Sequence, residues 1–574
     1  MTSTKKAMSV KGYWIVQASG FIAILSLCAS IALAQYPAEY PSKPQISMDG
    51  TEILVEDYAS LPQSSFTNML PYPPPFDPAG QFARENALRS EPANAPRSAS
   101  RIFVVDGNGN LYILDKATRR FTPYIDFGKV FPRFFTNSGY GTGVVSIAFD
   151  PDYAKNGKFY TVHTENPKKA PAADPTNAAI PSLILAGYTT TPVVNPPAGE
   201  ALYESVLVEW TDTNIRNETF EGTAREILRV GFNAFIHQMG DMLFNPLAKP
   251  GQSDYGNLYL SLGDGASGET PGPTHPTPQR LDALQGKILR INPDIKLRPK
   301  DMLSANGRYR IPSSGSDPNP FVSIAGARPE IFAYGLRNPH RMTWDTVTNM
   351  LIADDVGLHS WEEVNIVTKG ANYGYGEREG NELLLVDQAG KTGTQLNPPV
   401  PFPGRDLLNV AMLSEPVAPL YPVAVYSHMD GDAIGSGFVY RGKLMPRMVG
   451  KYFFTDITTG RLFYTDLAEM IASHSERNHQ ATIHEIQVIY NSPYDTQGAA
   501  KHRLYDIVAD TFVHKGGVPT TNAKRSTLPR GRSDVRLSVD GDGEIYVLSK
   551  SDGMIRKLVS VVTPPPASRN GSSN

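Results

Sequence analysis

The sequence predicts an all-β fold, and within that class a six-bladed β-propeller of four-stranded antiparallel sheets. Three observations carry this expectation. One hairpin pattern recurs six times along the chain. No sustained helical periodicity separates the copies. Gly and Pro are abundant, with 49 and 48 copies among 574 residues, beside many Tyr and Phe. Turn formers mixed with aromatic and β-branched residues favour many short strands. Length alone would suggest about three to four domains, but closed all-β folds exceed that prior as one unit.

The recurring unit opens on an apolar–Asp or apolar–Asn pair. A bend rich in Gly, Asn or Lys follows, and then an alternating strand. The copies are VVDGNGNLYILD from Val104, FDPDYAKNGKFYTVHT from Phe149 and FNPLAKPGQSDYGNLYLSLGD from Phe244. The others are WDTVTNMLIADDVG from Trp344, LMPRMVGKYFFTDITTG from Leu444 and SVDGDGEIYVLS from Ser538. Asp-Gly and Asn-Gly accept the positive φ of a tight hairpin, and period-two alternation marks a half-buried strand. The first interval, 104 to 149, is about 45 residues, and the other four are about 95 to 100. Regular repetition of one supersecondary unit is the signature of a propeller, whose sites sit in loops over the central channel. A pair of β-sandwiches would not repeat one hairpin six times. The Asp-rich turns at Asp106, Asp430 and Asp540 read as plain turns, because Asp540-x-Asp542-x-Glu544 lacks a full calcium-loop ligand set.

The ends read differently. Lys5, Lys6 and Lys11 precede a largely apolar stretch from Ile15 to Ala34, and Ala32-Leu33-Ala34 is a small-x-small cleavage site. Residues 1–34 therefore read as a signal peptide, and the protein as periplasmic or secreted. The alternative is an uncleaved membrane anchor, since the apolar run approaches spanning length. Cys28 is the single cysteine, so a cleaved chain would have no disulfide, and a core of this size needs none. Residues 35–98, including YPPPFDP, read as a Pro-rich N-terminal extension with little core of its own. Residues 99–562 would hold the propeller, and 563–574 a disordered tail. The net charge of −3 gives no argument for a nucleic-acid partner or a polybasic membrane surface.

Three stretches carry candidate chemistry. FIHQMGDMLFNP places His237 at a loop-to-strand junction, ahead of a strand ending LSLGDG. An imidazole there can act as a general base, with Asp264 fixing its tautomer, or it can be a structural loop histidine. EIFAYGLRNPHRMTWD places Arg337 and Asn338 in a turn before a proline. That guanidinium can grip a carboxylate or quinone oxygen, or form an inter-blade salt bridge. DDVGLHSWEEVNIVTKGANYGYGERE offers carbonyls at Gly357 and Leu358 and carboxylates at Glu362 and Glu363. These suit a hard cation such as Ca2+, or form a solvated acidic loop.

Taken in order, HQMG (237–240), LGD (262–264), QGKILRIN (285–292), GLRNP (335–339) and EVNIVTKGANYGY (363–375) resemble motifs of the soluble quinoprotein glucose and aldose sugar dehydrogenases. GTGVVSIAFDPDY (141–153) is similar to that family's first glycine-rich strand, and the likeness runs from about residue 100 to 560. A later stretch, from Tyr426 to Leu462, resembles relatives of hedgehog-interacting proteins in the same superfamily. The resemblance implies a six-bladed propeller that binds pyrroloquinoline quinone (PQQ) and Ca2+ over its channel. It would oxidise a small sugar or related alcohol and pass electrons to an external acceptor. On that reading His237 is the general base, Asp264 orients it, and Arg337 and Asn338 hold the cofactor. Gly357, Leu358 and Glu363 would serve the Ca2+. Where the family carries a lysine this chain has Thr458, and where it carries Arg-x-Arg it has Gly531-Arg532-Ser533. Arg532, Arg461 or Arg341 would then supply charge from shifted positions. The other reading is a non-catalytic carbohydrate- or protein-binding propeller that has lost its redox centre.

Overall fold

The computed structural model of this chain describes residues 46–64, 82–136, 141–197, 199–266, 277–358, 360–380, 382–386, 392–394, 407–477, 479–494, 498, 500–517 and 532–563. The expected signal segment 1–34, the YPPPFDP stretch and residues 564–574 lie outside these. The fold is all-β, built mainly from small antiparallel sheets in a propeller-like arrangement.

Four sheets stand separately. The first orders Glu85–Ser90, Arg101–Asp106, Asn110–Asp115 and Phe121–Asp126. The second orders Val144–Phe149, Lys158–Glu165, Tyr203–Asp212 and Gly222–Phe232, with two short strands added at its edge. The third orders Met239–Phe244, Leu258–Leu262, Lys287–Ile291 and Ile331–Tyr334. The fourth orders Pro339–Asp345, Met350–Asp355, Trp361–Ile366 and Ala424–Ser427.

Most of the other strands form one nine-stranded sheet, beside a two-stranded and a three-stranded ribbon, so six separate four-stranded sheets are not what the chain builds. One run of it is Ile434–Val439, Lys451–Asp456, Leu462–Asp466 and His484–Tyr490. The other is Val535–Val539, Ile545–Ser549, Met554–Thr563 and Met48–Ser60. The runs are joined by a parallel pairing of Met48–Ser60 with His484–Tyr490. This merger comes from the N-terminus. Residues 48–60 alternate, burying Thr51, Ile53 and Val55, and they satisfy the otherwise open edge of Met554–Thr563. The extension expected over 35–98 is therefore corrected in its described part, where residues 48–60 and 85–90 are sheet strands.

All six predicted hairpins are antiparallel pairs. Five join the first and second strands of a run. The copy at Val104 instead joins the second and third strands of the first sheet, which is why the first interval was short. The Asp or Asn that opens a turn accepts the N–H two or three residues on. Asp150 takes Asp152 N at 2.9 Å, Asn245 takes Leu247 N at 3.0 Å, and Asp345 takes Thr348 N at 2.9 Å. Asp540 does the same for Asp542 N, as a plain turn.

Apolar residues gather in clusters between successive runs rather than in one central core. One cluster packs the first sheet on the second, through Phe103, Ile113, Phe159 and Trp210. Another packs the two runs of the nine-stranded sheet on each other, through Phe453, Ile486, Leu537 and Val547. A third closes Leu88 and Val104 onto Tyr546 and Leu548. The first strands of the runs touch one another start to start. Asn86 Nδ2 donates to Val144 O at 3.2 Å, Ser146 Oγ to Asp241 at 2.6 Å, and Ser436 Oγ to Leu537 O at 2.6 Å. The loops leading into these strands thus open at one end.

Candidate functional site

His237 sits in the loop before Met239–Phe244, with φ +52°, a left-handed conformation uncommon for a residue with a side chain. Its backbone is pressed against Gly263, where a Cβ would lie 2.5 Å from His237 O. Gly265 N donates to His237 O at 3.0 Å, and Asp264 N donates to Arg337 O at 2.7 Å. The three predicted loops are therefore stitched together by main chain. His237 Nδ1 meets Asp264 Oδ1 at 2.8 Å. Asp264 is buried and also accepts Ala266 N at 2.9 Å. With Nδ1–H directed at this carboxylate, Nε2 carries the lone pair.

Beneath the pair lies Lys287, fully buried. Its ammonium donates to the carbonyls of Thr277, Pro278 and Gln285 at 3.2, 3.0 and 2.8 Å. Burial lowers its pKa to about 7 against the opposing charge of Asp282. Sequence reading did not single out this lysine.

Arg337 and Asn338 form the turn before Pro339–Asp345. Their N–H groups donate to the two oxygens of Asp355 at 3.0 and 2.6 Å. Burial, and then Glu363 beside it, hold the Asp355 carboxyl well above its ordinary range. Arg337 Nη1 donates to Val356 O and Gly357 O.

The predicted cation set is not assembled. Gly357 O accepts a guanidinium, which repels a metal ion. Leu358 N donates to Glu379 Oε1, an atom shared with the N–H groups of Ser360 and Trp361. Glu363 is buried, with one oxygen accepting Gly380 N and the other Asn365 Nδ2. Glu362 is held by His428 at 2.7 Å. These carboxylates are tied to amides within the protein. Among the described residues no three His, Cys, Asp or Glu side chains are grouped to hold a metal. Ca2+ does not fit the residues assigned to it.

The positive charge sought at shifted positions is partly there. Arg461 is committed to Asp430 and Glu485 at 3.1 and 2.7 Å. Arg341 reaches across the channel to Gly240 O and Asn86 Oδ1 at 2.7 and 2.9 Å. Arg532 opens the loop into Val535–Val539, with Nη2 3.6 Å from Asp534. Beside it lie three buried cations that sequence reading missed, Arg84, Arg536 and Lys550. Thr458 and Ser533 are neighbours, through a 3.1 Å main-chain bond. A cationic surround suits an anionic cofactor such as PQQ.

Residues 251–383 match the family described as Glucose / Sorbosone dehydrogenase. The HIPL1 protein of Arabidopsis thaliana is 27% identical over 330 residues, covering 55% of this chain and 42% of its own. The Aldose sugar dehydrogenase YliI of Escherichia coli (strain K12) is 35% identical over 120 residues, covering 21% and 26%. The Hedgehog-interacting protein of Mus musculus is 26% identical over 376 residues, covering 64% and 41%. The matched stretches span less than half the length of these relatives. The segment 251–383, which contains Asp264, Lys287, Arg337 and Asn338, is thus similar to the Glucose / Sorbosone dehydrogenase family.

Proposed function

We propose that this protein is a PQQ-dependent oxidoreductase that oxidises an aldose or related alcohol and passes electrons to an external acceptor. One observation carries the reading: a histidine held by a buried aspartate at 2.8 Å, in a loop bonded to the arginine turn at the same end of the channel. His237 Nε2 takes the proton from a substrate hydroxyl, and Asp264 stabilises the imidazolium that forms. Arg337, fixed by two carbonyls, and Asn338 hold the cofactor and favour negative charge developing there. Bound PQQ supplies the two-electron acceptor. No step is assigned to Ca2+.

The proposal includes a six-bladed scaffold, in which each run of the nine-stranded sheet counts as one blade. It also includes export to the periplasm or cell exterior, on the strength of the Lys5–Ala34 signal pattern. No helix among the described residues is long and apolar enough to cross a membrane.

The test is purified protein, PQQ, an aldose panel and an artificial electron acceptor. His237→Ala should lower turnover by roughly 10²–10⁴-fold while leaving the melting temperature nearly unchanged. Absence of both turnover and a bound-cofactor spectrum overturns the reading. A second reading, a non-catalytic carbohydrate- or protein-binding propeller, is favoured by Gly357 O being committed to Arg337 and by the neutral Thr458 and Ser533. It predicts binding of a glycan or protein without any redox signal.

A further inference from the structure

The turn at Arg337 and the loop after Met350–Asp355 grip each other from both sides. The N–H groups of Arg337 and Asn338 run to the Asp355 carboxyl at 3.0 and 2.6 Å, and Val356 N returns to Asn338 O at 3.1 Å. The Arg337 side chain lies over this frame, with the residue 5% exposed. Its Nη1 donates to Val356 O at 2.9 Å and also to Gly357 O. One guanidinium nitrogen thus spans two successive carbonyls, and one of them, Gly357 O, is a carbonyl that the sequence offered to Ca2+.

The loop is wound so that these carbonyls cannot easily turn elsewhere. A Cβ on Gly357 would lie 1.7 Å from Trp361 O. Gly357 N donates to Glu362 Oε2 at 3.3 Å, an atom that also accepts Ile434 N at 2.8 Å. The N–H groups of Leu358, Ser360 and Trp361 converge on Glu379 Oε1 at 2.8, 2.8 and 3.0 Å. Main-chain N–H groups therefore serve the carboxylates, while the carbonyls meet a positive charge supplied by the chain itself. Ca2+ takes about six to eight oxygens at roughly 2.3–2.6 Å. To build that shell here, Gly357 O would have to release the guanidinium. Asp355, Glu362 and Glu363 would have to release amide donors. A divalent ion beside the Arg337 charge is also repelled, the more strongly where water is excluded. A guanidinium keeps its charge at any working pH and holds its donors in a fixed fork.

We infer that the Arg337 guanidinium takes the place of a metal ion in this loop, so that the site is complete without Ca2+. The inference rests on the dehydrogenase reading only for its activity readout. On that reading PQQ alone reconstitutes turnover, and a chelator leaves the rate unchanged.

Terbium(III), a luminescent stand-in for Ca2+, tests the loop directly when it is titrated into the full chain and excited through tryptophan. Trp361 adjoins Gly357, so an ion held there draws its emission from Trp361. The parent and Trp361→Phe should behave alike. Emission that the parent shows and Trp361→Phe loses overturns the inference. In chelator, Arg337→Met should melt below the parent, because two buried carbonyls lose their donor; an equal melting temperature also overturns it. Turnover with PQQ and an aldose is then measured after chelation and again with CaCl2 restored, and equal rates are expected. Turnover that returns only with CaCl2 overturns the inference and leaves the dehydrogenase reading standing. No turnover under either condition, with the terbium and melting results as expected, removes the dehydrogenase reading and leaves the Arg337 assignment in place.

Discussion

At the scale of single residues, the site depends on two buried polar groups whose partners leave little choice of geometry. Asp264 binds the imidazole of His237 and one backbone N–H. Asp264→Asn keeps its size but loses the charge that supports an imidazolium. Steady-state kinetics on that variant should show kcat reduced by roughly 10²–10⁴-fold, with little change in KM. Lys287 makes a different kind of contribution, since its ammonium satisfies three carbonyls at once. Lys287→Met keeps the length and strands those oxygens. Denaturant unfolding should register a loss of at least about 1–3 kcal/mol. The sequence made His237 and Asp264 legible because they flank a single hairpin. Lys287 lies within QGKILRIN, but a lysine on a strand reads as solvated until the surrounding chain closes over it.

At the scale of elements, the strands of the fourth sheet carry buried acids. Burial raises Asp354 to about 8, and Tyr452 OH donates to it at 2.9 Å. Burial likewise raises Glu362 to about 6 and pushes Glu363 up. Burial would lower the His428 imidazole, but Glu362 beside it prevails and raises it. Each of these groups holds its proton more tightly folded than unfolded. The folded form therefore binds more protons, and stability falls as pH rises. Asp354 acts from about 4 to 8, Glu362 from about 4.5 to 6, and His428 above about 6.5. Lys287, Lys550 and His340, which burial lowers, act in the opposite sense, so the Asp354 share is read by difference: between pH 5 and 8 the melting temperature of Asp354→Asn should fall less, or rise more, than that of the parent. Identical profiles for the two would contradict the assignment. The strand Met48–Ser60 shows the limit of composition as a guide. Its Pro- and Ser-rich neighbourhood reads as a lead-in, while the alternation of Thr51, Ile53 and Val55 is a strand pattern too short to stand out. Ile53 is fully buried, and Ile53→Ala should cost roughly 2–5 kcal/mol.

At the scale of the whole molecule, the N-terminal strand is the fastener. It pairs with Met554–Thr563 on one side and His484–Tyr490 on the other, tying the first described residues to the last. A chain beginning at residue 61 should unfold at a markedly lower temperature and self-associate, because two strand edges are left open. Light scattering beside a thermal melt would check both. The sequence by itself determined the strand class, the six hairpins and the order of the loops that reach the open end. Alternation and turn chemistry act within a few residues, so a local reading can find them. Only the tertiary structure decided that two runs fuse into one nine-stranded sheet, that Gly357 O serves Arg337 rather than a cation, and that Arg84 meets Lys550. The first and last of these depend on segments hundreds of residues apart, and the second on two loops 20 residues apart; all are set when the apolar faces between sheets are buried, and no local pattern encodes which partner each will meet.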